Sequence, residues 1–151
     1  MRDRIIRIFW NPPLPLEEAL KDKRTARQGL YYITWVFGGQ EISLYLGIAR
    51  YQNTIRRRLE SHWSSWLEEY RRGALLVRIG QIVYPREKNA EIMGEIIDHA
   101  ESAILYDPDH RELFPENVGK RSSYSYSHLY RVENEGDRFQ LAPVIRMHEQ
   151  E

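Results

Sequence analysis

The sequence contains no cysteine. This absence excludes disulfide scaffolds, cysteine-ligated zinc or iron–sulfur sites and thiol catalysis, because each of them needs a sulfur atom. The sequence also has no apolar run long enough to span a bilayer. Charged residues interrupt the N-terminal segment, which therefore does not resemble a signal peptide: Arg2, Asp3, Arg4 and Arg7. A cytoplasmic protein without a membrane segment is expected.

The chain has no net charge, since 22 basic residues balance 22 acidic ones. Proteins that bind nucleic acid usually carry a basic surface, so the total argues against such a partner. The distribution is uneven, however. Residues 50–72 hold six basic and three acidic side chains, whereas residues 86–116 hold nine acidic and three basic ones. Two interpretations follow: solvated helix faces that attract each other, or a basic surface for phosphates opposite a carboxylate that binds a metal.

The length of 151 residues and the 42% hydrophobic content predict one domain with a real core over residues 1–151. Periodicity and turn residues predict strands at 4–10, 29–37, 42–48 and 74–84, and a C-terminal hairpin of 124–133 and 138–146. They predict helices at 16–28, from Asn53 or Thr54 to Arg72, and at 87–106. This order indicates an α+β domain with a small, mainly antiparallel sheet.

The common catalytic motifs are absent. A phosphate-binding loop ending at Gly119-Lys120 would need glycine where Phe114 stands, so no nucleotide cofactor is expected. A nuclease pattern starting at Pro108-Asp109 fails because Val118 occupies the position of its second acid. The sequence contains neither H-E-x-x-H nor G-x-S-x-G, and its five histidines do not follow metal-ligand spacing.

Six positions nevertheless occur in a recognisable order. Two tripeptides, Gly29-Leu30-Tyr31 and Tyr45-Leu46-Gly47, stand at the start and end of the predicted hairpin, and the polar residues that follow are Arg58, His62, Glu101 and Asn117. This set resembles the GIY-YIG endonuclease family. The tripeptides match its two name-giving motifs, and the polar residues match its helix arginine and histidine, its metal-binding glutamate and its asparagine. The resemblance covers residues 29–120 and leaves 1–28 and 121–151 as flanks. Thirteen residues separate the two tyrosines, which is a little long for the family.

The resemblance implies a three-stranded core and a metal-dependent endonuclease of restriction, repair or defence type that hydrolyses DNA. Tyr31 would activate water, and Tyr45 would hydrogen-bond the phosphate or that water. Arg58 and His62 share one helix face, away from the Leu59/Trp66 stripe, and would hold one phosphate. Glu101 would bind Mg²⁺ or Mn²⁺, and Asn117 would orient its neighbourhood. Further basic residues would contact DNA: Arg56, Arg57, Lys120 and Arg121. A restriction-type enzyme would act as a homodimer, whereas a nickase would act as a monomer.

Each of these residues also has a purely structural interpretation. Arginines in a run are commonly solvated, strand tyrosines commonly pack in a core, and an acid beside an apolar stripe commonly pairs with a base. Tyr32 points to the opposite side of its strand from Tyr31 and is the better core candidate. The alternative at the level of function is a catalytically inactive GIY-YIG-like module that binds nucleic acid or protein.

Overall fold

A computed structural model describes residues 4–110, 112–117 and 130–146. The architecture is α+β, as predicted, with helices on both sides of one mixed sheet. Within these described residues the sheet has seven strands: β1 (Ile5–Trp10), β2 (Leu14–Pro15), β3 (Gly29–Phe37), β4 (Gln40–Ala49), β5 (Ala74–Tyr84), β6 (Arg131–Gly136) and β7 (Val144–Ile145). Their order is β4-β3-β5-β1-β6-β7, with β2 pairing on β5.

The prediction of a three-stranded antiparallel core is wrong. The β4, β3 and β5 strands are antiparallel neighbours, but β5 also pairs with β1, and β1 pairs with β6 in parallel. Both β1 and β6 come from the flanks of the predicted core and lie inside the sheet. Apolar side chains of both strands are fully buried, which explains why the two strands lie inside the sheet: Ile6, Ile8, Trp10 and Val132 have no exposed surface. Strands from both flanks are therefore part of the same sheet.

The helices are shorter than the sequence predicts. They are α1 (Leu16–Ala19), α2 (Ile55–Ser65) and α3 (Ala90–Tyr106). The helix predicted over 16–28 is wrong, because Asp22 adopts an extended conformation and caps a separate 3-10 turn, Lys23–Ala26. Thr54 caps α2 as predicted by accepting a hydrogen bond from the backbone of Arg57. At Trp66 the backbone leaves helical geometry, and a 3-10 turn (Leu67–Tyr70) replaces the rest of the predicted helix.

The two sheet faces carry separate cores. Tyr31, Ile33 and Tyr45 face the side of α1 and α2, where Leu59 packs against them. Tyr32 faces the opposite side and packs with Leu46 beneath α3, which confirms its predicted orientation. Among the described residues, no helix combines the length and apolar character needed to cross a membrane. The N-terminal part of the predicted strand 124–133 lies outside the described residues, and β6 extends its remainder to Gly136.

Candidate active site

The β3–β4 hairpin brings Tyr31 and Tyr45 onto the same face of the sheet. Tyr31 pairs with Gly47 across the strands, and Tyr45 pairs with Ile33 one pleat further along. Because residues two apart on a strand share a face, the two phenol rings lie side by side. Their centroids are 6.1 Å apart and their planes differ by 30°. The regular pairing of β3 with β4 is interrupted between Ile33 and Thr34, directly beside this pair.

Helix α2 places His62 directly over these tyrosines. His62 Nε2 lies 2.7 Å from the hydroxyl oxygen of Tyr31, and the imidazole meets the Tyr45 ring edge to face at 4.8 Å. His62 is buried together with Leu59. The expectation that its face avoids the Leu59/Trp66 stripe is therefore wrong, since the histidine itself belongs to the buried side of the helix and contacts Trp66.

Arg58 lies one helical turn before His62 and close enough to both phenols to interact with them electrostatically. Burial acts to lower the pKa of Arg58, but its charge interactions and hydrogen bonds with Tyr31 and Tyr45 raise that pKa overall. Of the residues in this cluster, Arg58 alone keeps partial exposure, whereas Tyr31, Tyr45, His62 and Glu101 are buried. The guanidinium is thus the group through which solvent or a ligand meets the cluster.

Both tyrosines are neutral phenols in this environment. Burial raises the pKa of Tyr31 well above its ordinary value, the neighbouring Tyr45 raises it further, and Arg58 opposes the shift. Burial likewise raises the pKa of Tyr45, again against Arg58. A phenolate in this cluster therefore needs additional stabilisation, which a positive charge or hydrogen-bond donors supply.

Glu101 reaches the same cluster from α3. Glu101 is 4% exposed, and its negative charge acts to raise the pKa of Tyr31 and of Tyr45, which places it within electrostatic range of both phenols. Helix α3 packs chiefly on β4, the strand that carries Tyr45. Three separate elements therefore supply one cluster, which we call the tyrosine site: Tyr31, Tyr45, Arg58, His62 and Glu101.

The described residues contain no group of three or more histidine, aspartate or glutamate side chains placed to hold a metal. One buried carboxylate beside phenolic oxygens still fits Mg²⁺, which proteins often bind through one or two carboxylates, with water and substrate phosphate as the other ligands. Glu101 is the residue that would hold it. The donor set offers no thiolate and one imidazole, which suits a hard cation better than zinc.

Asn117 does not contribute its amide to the tyrosine site. Its Oδ1 accepts a hydrogen bond from the backbone N–H of Leu46 at 2.9 Å, and its Nδ2 donates to the Leu46 carbonyl at 2.7 Å. The neighbouring backbone N–H of Glu116 donates to the Leu44 carbonyl. This short segment therefore covers the outer edge of β4, and Asn117 holds the stretch of strand that carries Tyr45 and Gly47.

The basic residues predicted to contact nucleic acid have different environments. Arg56 donates from Nη2 to the Asp22 carbonyl at 2.9 Å and thereby ties α2 to the chain after α1. Arg57 is exposed. Lys120 and Arg121 lie outside the described residues.

The sequence pattern places Trp66 in the apolar stripe of α2 and does not indicate its contact with the site. Its indole Nε1 donates to His62 Nδ1 at 3.1 Å. The signal that could have revealed the contact is the four-residue spacing from His62, which places side chains next to each other on a helix.

The comparisons with known proteins add no relative. No protein-family model, curated protein or solved structure matches the chain. The likeness to GIY-YIG enzymes therefore rests on the six positions themselves. The structure brings five of them together, and it places the sixth, Asn117, at the outer edge of the strand that carries Tyr45.

Proposed function

We propose that the protein is a metal-dependent endonuclease that hydrolyses phosphodiester bonds in DNA with chemistry similar to that of GIY-YIG enzymes. The observation that carries this proposal is the convergence of Tyr31, Tyr45, Arg58, His62 and Glu101 in the tyrosine site. The first and last of these residues lie 70 positions apart in the sequence, and the five come from a hairpin and two helices. Accidental motif matches have no reason to meet in space.

Arg58 is suited to hold the scissile phosphate. It is the accessible member of the site, and its planar guanidinium matches two phosphate oxygens at once. The charge on those oxygens rises when a nucleophile attacks phosphorus, so a fixed cation stabilises the transition state more than the ground state. The phosphate would take over contacts that Arg58 makes with the phenols in the absence of substrate.

Tyr31 is suited to act as the general base. As a phenolate it would accept a proton from water, whose oxygen attacks phosphorus while the bond to the leaving oxygen breaks. Reaching that state requires loss of the phenol proton to solvent, which burial opposes and Arg58 assists. Tyr31 has no exposed surface, so water reaches its oxygen when Arg58 turns toward a bound phosphate.

Glu101 is the residue that would hold Mg²⁺ or Mn²⁺. When bound, such a cation supplies stabilisation of negative charge on the leaving oxygen. The protein's own contribution is to keep this carboxylate buried and within electrostatic range of the two phenols. Glu101 is buried, and a bound cation would lower the cost of keeping its carboxylate charged away from water.

The complete burial of Tyr31 favours a second candidate function, a module of similar fold that binds nucleic acid or protein without turnover. In that case the raised pKa of Tyr31 would keep the phenol neutral at every physiological pH. The two candidates differ in one measurable respect, because only the first releases cut DNA.

The test is a cleavage assay on supercoiled, linear and branched DNA with Mg²⁺, Mn²⁺ or a chelator. We expect the protein to nick DNA with metal, and Glu101→Gln and Arg58→Ala to abolish cleavage. Glu95→Gln is the matched control, since Glu95 is an exposed acid on the same helix. Equal cleavage by the protein and Glu101→Gln would refute the mechanism. DNA binding without product under every condition would identify the second candidate.

A further inference from the structure

Trp66 closes α2, and its indole ring contacts the helix that it ends. Its backbone N–H donates to the His62 carbonyl at 2.8 Å. Its φ of −151° then takes the chain out of helical geometry. The indole lies against the imidazole, with the two ring centroids 5.5 Å apart. The Nε1–Nδ1 hydrogen bond joins the same two rings, so a residue outside the six motif positions contacts the histidine of the tyrosine site.

This contact determines where His62 carries its proton. An indole nitrogen donates hydrogen bonds and cannot accept them, so His62 Nδ1 is the acceptor and carries no hydrogen. A neutral imidazole has a single N–H, which must then be on Nε2. Since Nε2 lies 2.7 Å from the Tyr31 oxygen, His62 is the donor in that hydrogen bond and Tyr31 is the acceptor.

We infer that Trp66 is a positioning residue that holds His62 in its Nε2–H tautomer, so that the imidazole donates to the Tyr31 oxygen. The inference about tautomer stands on the geometry alone, and its catalytic meaning rests on the proposed function. A donor aimed at the Tyr31 oxygen stabilises the phenolate more than the phenol, because the phenolate carries the negative charge.

The opposite tautomer would reverse this effect. With its proton on Nδ1, His62 would present a lone pair to Tyr31, and the phenol would donate to it. That arrangement stabilises the neutral phenol, which is the inactive form of a general base. It would also bring two N–H groups, from Trp66 and from His62 Nδ1, face to face. The indole thus selects the tautomer that assists the base.

The test is the ring nitrogen spectrum of His62 in protein with ¹⁵N-labelled histidine and tryptophan, recorded near pH 8. We expect the Nε2–H pattern in the unmodified protein. Trp66→Phe keeps an aromatic ring against Tyr45 and Tyr70 but removes the donor, so the Nδ1–H pattern should appear. Trp63→Phe is the matched control, since Trp63 is an exposed tryptophan on the same helix, and it should leave the spectrum unchanged.

A second readout needs no variant and so does not depend on a variant's stability. A ¹⁵N–¹⁵N coupling across the hydrogen bond should connect Trp66 Nε1 with His62 Nδ1. The Nδ1–H pattern in the unmodified protein, absence of the coupling, or an unchanged pattern in Trp66→Phe would each overturn the inference. In the cleavage assay Trp66→Phe should lower kcat about fivefold, as loss of one net hydrogen bond would, with KM unchanged. An inactive protein with the expected spectra would refute the proposed function and leave the tautomer assignment intact.

Discussion

The phenol ring of Tyr31 occupies the space directly above Gly47, its partner across the β3–β4 hairpin. A methyl group at Gly47 would lie 2.3 Å from Tyr31 Cζ and 2.4 Å from its hydroxyl oxygen. The glycine is thus needed because the aromatic ring occupies the space above it, and the ring is held at a fixed height over β4. Trp10 makes the same contact with Gly80 on the other face, where the added carbon would lie 2.7 Å from Trp10 Cζ3.

Gly47→Ala should displace the Tyr31 ring and break its hydrogen bond with His62. Overpacking of this kind typically costs about 2 kcal/mol of unfolding free energy, since the surrounding core is closely packed. For a chain of this size that loss corresponds to a fall in Tm of roughly 6 °C. Thermal unfolding measures the first effect, and loss of DNA cleavage in the remaining folded protein measures the displacement of the phenol.

A double-mutant cycle isolates the contact. In a Tyr31→Ala background the ring is gone, so adding Gly47→Ala should cost little and the two losses should not add. Fully additive losses would show that the glycine serves the backbone of β4 and not the tyrosine.

The site was predictable to the extent that its positions depend on local pattern. The β-branched and aromatic run before Gly38-Gly39 indicates the hairpin. The regular register from that turn would pair Tyr45 with Tyr32, on the face opposite Tyr31, so the shift in pairing after Ile33 is what puts Tyr31 and Tyr45 on one face. Thr54 is a strong helix cap, and it sets the start of the helix that carries Arg58. Motif order supplied the remaining positions.

The parts that were not predictable depend on contacts distant in sequence. Nothing near β1 indicates that it pairs in parallel with β6, more than 120 residues later. Arg78 resembles an ordinary strand arginine, yet it is buried, forms an ion pair with the partly exposed Glu41, and donates from Nε to Asp137 at 3.0 Å. The role of Asn117 was assigned by its place in the motif, whereas its hydrogen bonds follow from the free edge of β4.

Arg58→Lys should impair cleavage more than DNA binding. Lysine keeps the positive charge but lacks the planar fork that contacts Tyr31 and Tyr45 together, so the phosphate would be held less firmly in the transition state. The expected loss in kcat is about tenfold to a hundredfold, measured as the initial rate of plasmid nicking. Arg86→Lys, an exchange at an exposed arginine at the end of β5, should change neither rate nor binding. Full activity of Arg58→Lys would mean that the phosphate binds elsewhere.

Asn117→Ala should loosen the outer edge of β4. The substitution removes both partners of the Leu46 backbone and leaves buried polar groups unsatisfied, which should cost about 2 kcal/mol of unfolding free energy in urea. Hydrogen exchange of the Leu46 amide should speed up more than that of other β4 amides. Asn89→Ala removes a helix cap of α3 and should lower stability without this local effect. Unchanged Leu46 exchange in Asn117→Ala would contradict the assigned role.

Asp22 should make the stability of the chain depend on pH in the acid range. Its hydrogen bonds with the Arg24 side chain lower its pKa from an ordinary 3.8 to about 2. The folded state therefore holds this proton less tightly than the unfolded state, so the stabilisation is present above pH 4 and disappears as the pH falls to about 2.

Asp22→Asn keeps an oxygen for the Arg24 backbone N–H but removes the charge. Its unfolding free energy in urea should lie about 1 kcal/mol below that of the unmodified protein at pH 5 and converge with it near pH 2. Arg24→Gln should reduce the same pH-dependent difference, since it removes the partner, whereas a gap that stays constant from pH 5 to pH 2 would show that the Asp22–Arg24 pair does not contribute through its charge.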